Sequence, residues 1–188
     1  MSHRGPSRGQ LAWLMVSGHA YDCNTLRLQT VMAHITYGRT GLGFYDARPE
    51  VIAALMRRPS GRDRQAVVDH YVRLFRVIGS PGFVTPEAEL RQRIAQSADR
   101  GFYPVGTLRQ MLAVMADSSR AAQLGQISAP TLVFHGHDDP LLPYACGEDT
   151  ARRIPGARLV GVAGMGHDLP GPVVDRLLAA LLPHFKTP

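Results

Sequence analysis

Two short segments near the C-terminus constrain this chain most. One runs Pro130-Thr131-Leu132-Val133-Phe134-His135-Gly136-His137-Asp138-Asp139-Pro140 and the other Ala157-Arg158-Leu159-Val160-Gly161-Val162-Ala163-Gly164-Met165-Gly166-His167-Asp168. Each is a brief apolar run that stops at glycine, the pattern of a buried strand closed by a turn. The stretch between them, around 147–154, reads as a helix, and so does 173–185. Strand, helix, strand, helix is the order that yields parallel strands joined by crossovers. Open sheets of that type carry their chemistry at the C-terminal strand ends. The first run delivers an Asp there and the second a His.

The rest of the chain divides around this unit. Leu26–Ile35 begins with alternating apolar and polar residues and predicts a strand over about 28–35, whereas 10–20 shows a helical tendency. From Pro49 to about Gln126 the pattern is helical. Pro49 starts a helix carrying Val51, Ile52, Leu55 and Met56, and Pro59-Ser60-Gly61 stops it. Val67, Val68, Tyr71, Leu74, Phe75 and Ile78 fall at helical offsets over Asp63–Ile78, and Gly79-Ser80-Pro81-Gly82 ends that helix. Thr85 reads as the N-cap of the next, with Pro86, Glu87 and Glu89 in its first turn. A further helix is expected over Val105–Met115, and Asp117 caps a short element reaching Leu124. Three domains follow as expectations: 1–47 and 127–188 as parts of one α/β core, and 48–126 as an all-helical insertion.

Net charge is +6, and Lys186 is the only lysine. The arginines are scattered through helical stretches without interleaved aromatics, so nucleic-acid binding is not expected. Cys23 and Cys146 lack metal-ligand spacing and read as two buried thiols in a reducing compartment, with a single disulfide between them as the alternative. No apolar run is long enough to span a bilayer, so no membrane partner is expected. Arg4, Arg8, Leu11–Val16 and Ser17-Gly18-His19-Ala20 loosely imitate a signal peptide, but the run is short and His19 sits poorly at a cleavage site. A cytoplasmic location is expected.

An Asp followed by a His at strand ends suits proton transfer, the carboxylate fixing the imidazole tautomer. Asp138 and Asp139 both compete for that role, and either one can instead build an Asp-Pro turn. His135 reads as strand core or oxyanion-side packing, His137 as a loop residue, and His3, His19, His70 and His184 as surface or helix positions. No histidine pair has helical zinc spacing. A nucleophile earlier in the chain is required, and the only Gly-x-Ser-x-Gly is Gly5-Pro6-Ser7-Arg8-Gly9.

From Arg48 onward the chain resembles the second half of an α/β-hydrolase of the serine esterase type, near the aclacinomycin methylesterase-like members. Residues 127–143, Ile154-Pro155-Gly156-Ala157, Gly164–Pro170 and Tyr103–Gln110 carry the likeness. The resemblance implies a truncated α/β-hydrolase fold of about three parallel strands, near 28–35, 131–135 and 158–162, with flanking helices and a helical cap. The family's acid follows Gly-x-x-Asp-Pro, which implies Asp139 rather than Asp138. Its base is the His of Gly-x-Gly-His, here His167. The aligned nucleophile is Ser7, with the Arg8 backbone N–H as oxyanion donor. An Asp at the elbow would have suited an epoxide hydrolase or dehalogenase instead.

Family members carry five strands before that serine, so this chain begins at about the elbow. Its first strand is then expected to expose an unpaired edge and to favour a homodimer or poor solubility. The implied activity is hydrolysis of a small-molecule carboxylic ester through an acyl-enzyme, with no metal or organic cofactor. Tyr71, Phe75, Phe102, Tyr103 and Met111 are candidate pocket residues. The alternative is a catalytically silent fragment or a non-enzymatic binding module that keeps cap and sheet.

Overall fold

A computed structural model describes residues 13–16, 19–22, 48–102, 105, 106, 109 and 124–185. Strands β1 (Trp13–Val16) and β2 (His19–Asp22) form an antiparallel hairpin in which Trp13 faces Asp22 and Val16 faces His19. The helical tendency expected over 10–20 is therefore overturned at 13–16 and 19–20, the described part of that span. Two four-residue runs separated by the turn-forming pair Ser17-Gly18 meet the length rule for a tight hairpin, and the local pairing overrides a weak helical pattern. The strand expected over 28–35 and most of the helix expected over 105–115 lie outside the described residues.

Three helices follow. Helix α1 spans Pro49–Met56, with Pro49 at its first position and Glu50 in the first turn, and gives way before Pro59. Helix α2 spans Arg64–Ile78, and Asp63 caps it by accepting a hydrogen bond from the Ala66 amide at 2.9 Å. Helix α3 spans Glu87–Arg100, with Glu87 and Glu89 at its positive end and Arg100 at its negative end. Its N-cap is Pro86 rather than the expected Thr85. Thr85 is buried instead, and its carbonyl accepts the Arg76 guanidinium at 2.9 Å, which holds it outside the helix.

Val68 and Val72 of α2 meet Leu90 and Ile94 of α3 in one buried cluster. Val51 and Ile78 form a second, and Leu141 packs against it from the far end of the chain. His70, read as a surface or helix position, is on the helix but buried beside Tyr71, where burial lowers its pKa, with the Arg73 charge acting in the same direction.

A 3₁₀ turn at Leu124–Gln126 leads into strand β3 (Leu132–Gly136), helix α4 (Tyr144–Arg153), strand β4 (Arg158–Val162) and helix α5 (Gly171–His184). Strands β3 and β4 pair in parallel, from Leu132 opposite Arg158 to Gly136 opposite Val162. A parallel pair needs a crossover, and α4 supplies it. That helix starts at Tyr144, three residues ahead of the expected Gly147, because Pro143 can occupy the N-cap position. Val162, Met165 and Val173 form the core beneath the strands, with Phe83, Phe134 and Leu169 against it. Among the described residues no helix is long and apolar enough to cross a membrane.

Candidate active site

The loops leaving β3 and β4 run together beyond the strands. His137 N–H donates to the Val162 carbonyl at 3.0 Å and Asp138 N–H to the Met165 carbonyl at 3.0 Å, so the pairing continues into the turns. Gly136 permits this approach, since a Cβ there would strike the Met165 carbonyl. Gly164 turns the second loop with φ +78°, a conformation that favours glycine.

These turns separate the two neighbouring aspartates. Asp138 Oδ2 accepts the Gly164 amide at 2.6 Å and ties loop to loop. Asp139 points the other way. Its Oδ2 lies 2.8 Å from His167 Nδ1, while its Oδ1 accepts the Leu141 and Leu142 amides, each at 2.9 Å. The Asp139 side chain is only 6% exposed and that of His167 16%, so the pair is largely withdrawn from water.

Burial is the largest single influence on the Asp139 carboxyl and pushes its pKa upward. The His167 hydrogen bond and charge, with the two amide donors, together outweigh it and hold the group below its ordinary value. A carboxylate facing Nδ1 selects the tautomer with hydrogen on that nitrogen and leaves Nε2 as the basic one. His135 is adjacent but differently engaged. Its Nε2 lies 2.9 Å from the Leu142 carbonyl, so Nε2 carries the hydrogen, and it stands 4.0 Å from Asp139 Oδ2, beyond hydrogen-bond reach. His137 stacks on Tyr144 with ring centroids 3.9 Å apart.

The loop after α2 clasps the His167 loop from the opposite side. His167 N–H donates to the Ile78 carbonyl at 2.7 Å and Gly166 N–H to Ser80 Oγ at 2.9 Å. Ser80 N–H donates to Asp168 Oδ1 at 2.8 Å, and the Ser80 hydroxyl donates to the same oxygen. In sequence, Gly79-Ser80-Pro81-Gly82 reads only as a helix stop. The glycines were its one signal, because they let the two backbones touch.

Tyr71 and Phe75 pack within the helical core, and Phe102 is 40% exposed, edge-on to Tyr71 at 6.2 Å. Ser7, Arg8, Tyr103 and Met111 lie outside the described residues. A cavity of about 300 Å³ opens at the other end of the strands, among Pro130, Thr131, Gly156, Arg158, Pro183 and His184, and contains neither Asp139 nor His167. Among the described residues no group of three or more His, Cys, Asp or Glu is placed to hold a metal.

Parallel strands that release an Asp and then a His from their C-terminal ends, hydrogen-bonded to each other, define the second half of an α/β-hydrolase. The chain carries a truncated α/β-hydrolase fold and is similar in sequence to proteins of that superfamily. Residues 110–188 match the family of TAP-like proteins. The chain is 30% identical over 133 residues to rhodomycin D methylesterase DauP of a Streptomyces species, covering 70% of this chain and 44% of that protein. It is 32% identical over 107 residues to the pimeloyl-[acyl-carrier protein] methyl ester esterase of Nitrosomonas europaea, covering 56% and 40%. Among solved structures, the bromoperoxidase from Bacillus anthracis superposes with a TM-score of 0.54 at 26% identity, over 67% of this chain and 45% of that one. The chain thus spans less than half the length of these relatives.

Proposed function

We propose that this chain hydrolyses carboxylic esters, with His167 as general base and Asp139 as the acid that orients it. The observation that carries the reading is the 2.8 Å contact of a buried, ionised Asp139 with His167 Nδ1 at the C-terminal strand ends. Two relatives bear names that specify methyl esters, and a small alkyl ester of a larger acid is the substrate class we assign.

Ser7 is the proposed nucleophile. Its Oγ bonds to the ester carbonyl carbon as His167 Nε2 takes the hydroxyl proton, and the Arg8 backbone N–H donates to the oxyanion. Collapse breaks the bond to the alcohol oxygen, which leaves with the proton from Nε2. Water then attacks the acyl-enzyme, His167 accepts its proton, and the acid departs as that proton returns to Ser7 Oγ. This scheme uses no metal or organic cofactor. Residues 48–126 serve as the cap. Tyr71, Phe75, Phe102, Tyr103 and Met111 are the proposed pocket residues; among the described ones Phe102 has the accessible surface to meet substrate, backed by Tyr71.

The test is hydrolysis of short-chain p-nitrophenyl and methyl esters by the full chain and by Ser7→Ala and His167→Ala. Loss of turnover in both variants supports the scheme. Activity that survives Ser7→Ala removes the proposed nucleophile. A wild-type chain with no turnover favours the silent binding module. Light scattering of the same samples at low micromolar concentration tests the proposed edge-to-edge dimer, against which a monomer would count.

A further inference from the structure

We infer that Ser80 and Asp168 are positioning residues for His167, and that through them the loop closing α2 sets the imidazole against Asp139. The inference rests on His167 being the base and adds what holds that base in place. Residues 166, 167 and 168 are each bound to the segment 78–80. Gly166 donates to Ser80 Oγ at 2.9 Å, His167 N–H to the Ile78 carbonyl at 2.7 Å, and Asp168 Oδ1 accepts both the amide and the hydroxyl of Ser80.

The bonds cross 86 to 89 positions of sequence, so they hold two distant segments together rather than shape one turn. Ser80 is 4% exposed, and its hydroxyl is used twice, as acceptor and donor. The fit leaves no slack. A Cβ on Gly166 would strike the Gly79 carbonyl, and one on Gly79 would stand 3.2 Å from Asp168 Oδ2.

Asp139 grips the ring at Nδ1. The contacts of 166–168 fix the backbone from which the ring projects. The two attachments together hold the imidazole from the ring and from its backbone. A reacting group displaced by about 1 Å from far-off changes can lose on the order of a hundredfold in rate. Ser80 touches no reacting group, so its removal lowers kcat by about tenfold to a hundredfold and leaves KM within about twofold.

The experiment uses the full chain labelled with ¹⁵N-histidine, comparing wild type with Ser80→Ala, Asp168→Ala and Asp168→Asn. The His167 Nδ1–H resonance is followed by NMR, ester turnover is measured in parallel, and cooperative thermal unfolding verifies the fold. The expected result is a sharp downfield Nδ1–H signal in wild type, its loss to solvent exchange in Ser80→Ala and Asp168→Ala, and its retention in Asp168→Asn, which keeps the acceptor oxygen. Signals as sharp in both alanine variants as in wild type overturn the inference. So does an asparagine variant as impaired as the alanine, since charge rather than the bond would then be at work. Should Ser80→Ala not fold, the two Asp168 variants decide alone, because that side chain is only half-buried. A wild-type chain without the signal sinks the hydrolase reading itself. A normal wild-type signal that no variant disturbs sinks only the positioning role.

Discussion

Replacing Asp139 with asparagine has a consequence that follows from the orientation of its two oxygens. Oδ1 accepts the Leu141 and Leu142 amides and Oδ2 faces His167 Nδ1. An asparagine carboxamide has only one oxygen, and two backbone donors claim it. Its NH₂ is therefore left facing His167, and a donor there requires Nδ1 to be the acceptor. The imidazole is driven to the tautomer with hydrogen on Nε2, which cannot take a proton from the nucleophile. In a hydrolase triad this reversal lowers kcat by about ten-thousandfold with geometry intact.

Stability changes much less. Three charge-assisted hydrogen bonds become neutral ones, at roughly 0.5–1 kcal/mol each. The neutral amide also escapes the cost of burying a charge, which offsets part of that. The net loss is about 1–2 kcal/mol at pH 7. Because the native carboxyl titrates below its ordinary value, this contribution is present above about pH 4 and is lost as pH falls through the depressed native pKa. Urea unfolding of wild type and Asp139→Asn at pH 7, and again below pH 4, measures it, alongside ester turnover at pH 7. The stability gap should narrow on acidification. A variant with kcat within tenfold of wild type, or a gap that widens in acid, would refute the reasoning.

Three further outcomes are expected. Asp138→Ala removes the 2.6 Å tie to Gly164 but leaves the Asp139–His167 contact, so ester turnover should fall by less than about tenfold; a loss as large as that of Asp139→Asn would exchange the two roles. Gly136→Ala sets a Cβ against the Met165 carbonyl and should cost about 3 kcal/mol or more in urea unfolding, and an unchanged midpoint would show that the strand ends do not approach as described. Asp63→Ala deletes the α2 cap and should cost about 1 kcal/mol, read as a lower thermal midpoint with ester turnover at neutral pH unchanged.

What could be read from sequence was what local rules govern. Strands β3 and β4 end where glycine and aspartate interrupt the apolar runs, and α2 follows its 3.6-residue stripe from a capping Asp63. Strand-end placement pointed to an Asp and a His, and the choice of Asp139 over Asp138 came from the resemblance to the hydrolase family. The contacts that brace the pair were not expected, because Ser80 and Asp168 lie 88 positions apart and neither belongs to a periodic pattern. Thr85 had the chemistry of a cap, but Arg76 bonded to its carbonyl moves the helix start beyond it. The helical tendency of 10–20 failed for a related reason, since pairing between strands does not register in a window along one of them.

Leu141 belongs to two structures at once. Its amide holds Asp139 Oδ1, while its side chain sits against Val51 and Ile78, whose helices precede it by more than sixty residues. Neither neighbourhood can open alone without stripping the other of a contact. The helices and the strand pair should consequently melt as one cooperative unit, and the Leu141 amide should exchange with deuterium only at the rate of that global event. Opening that bares the helices should therefore loosen the acid as well.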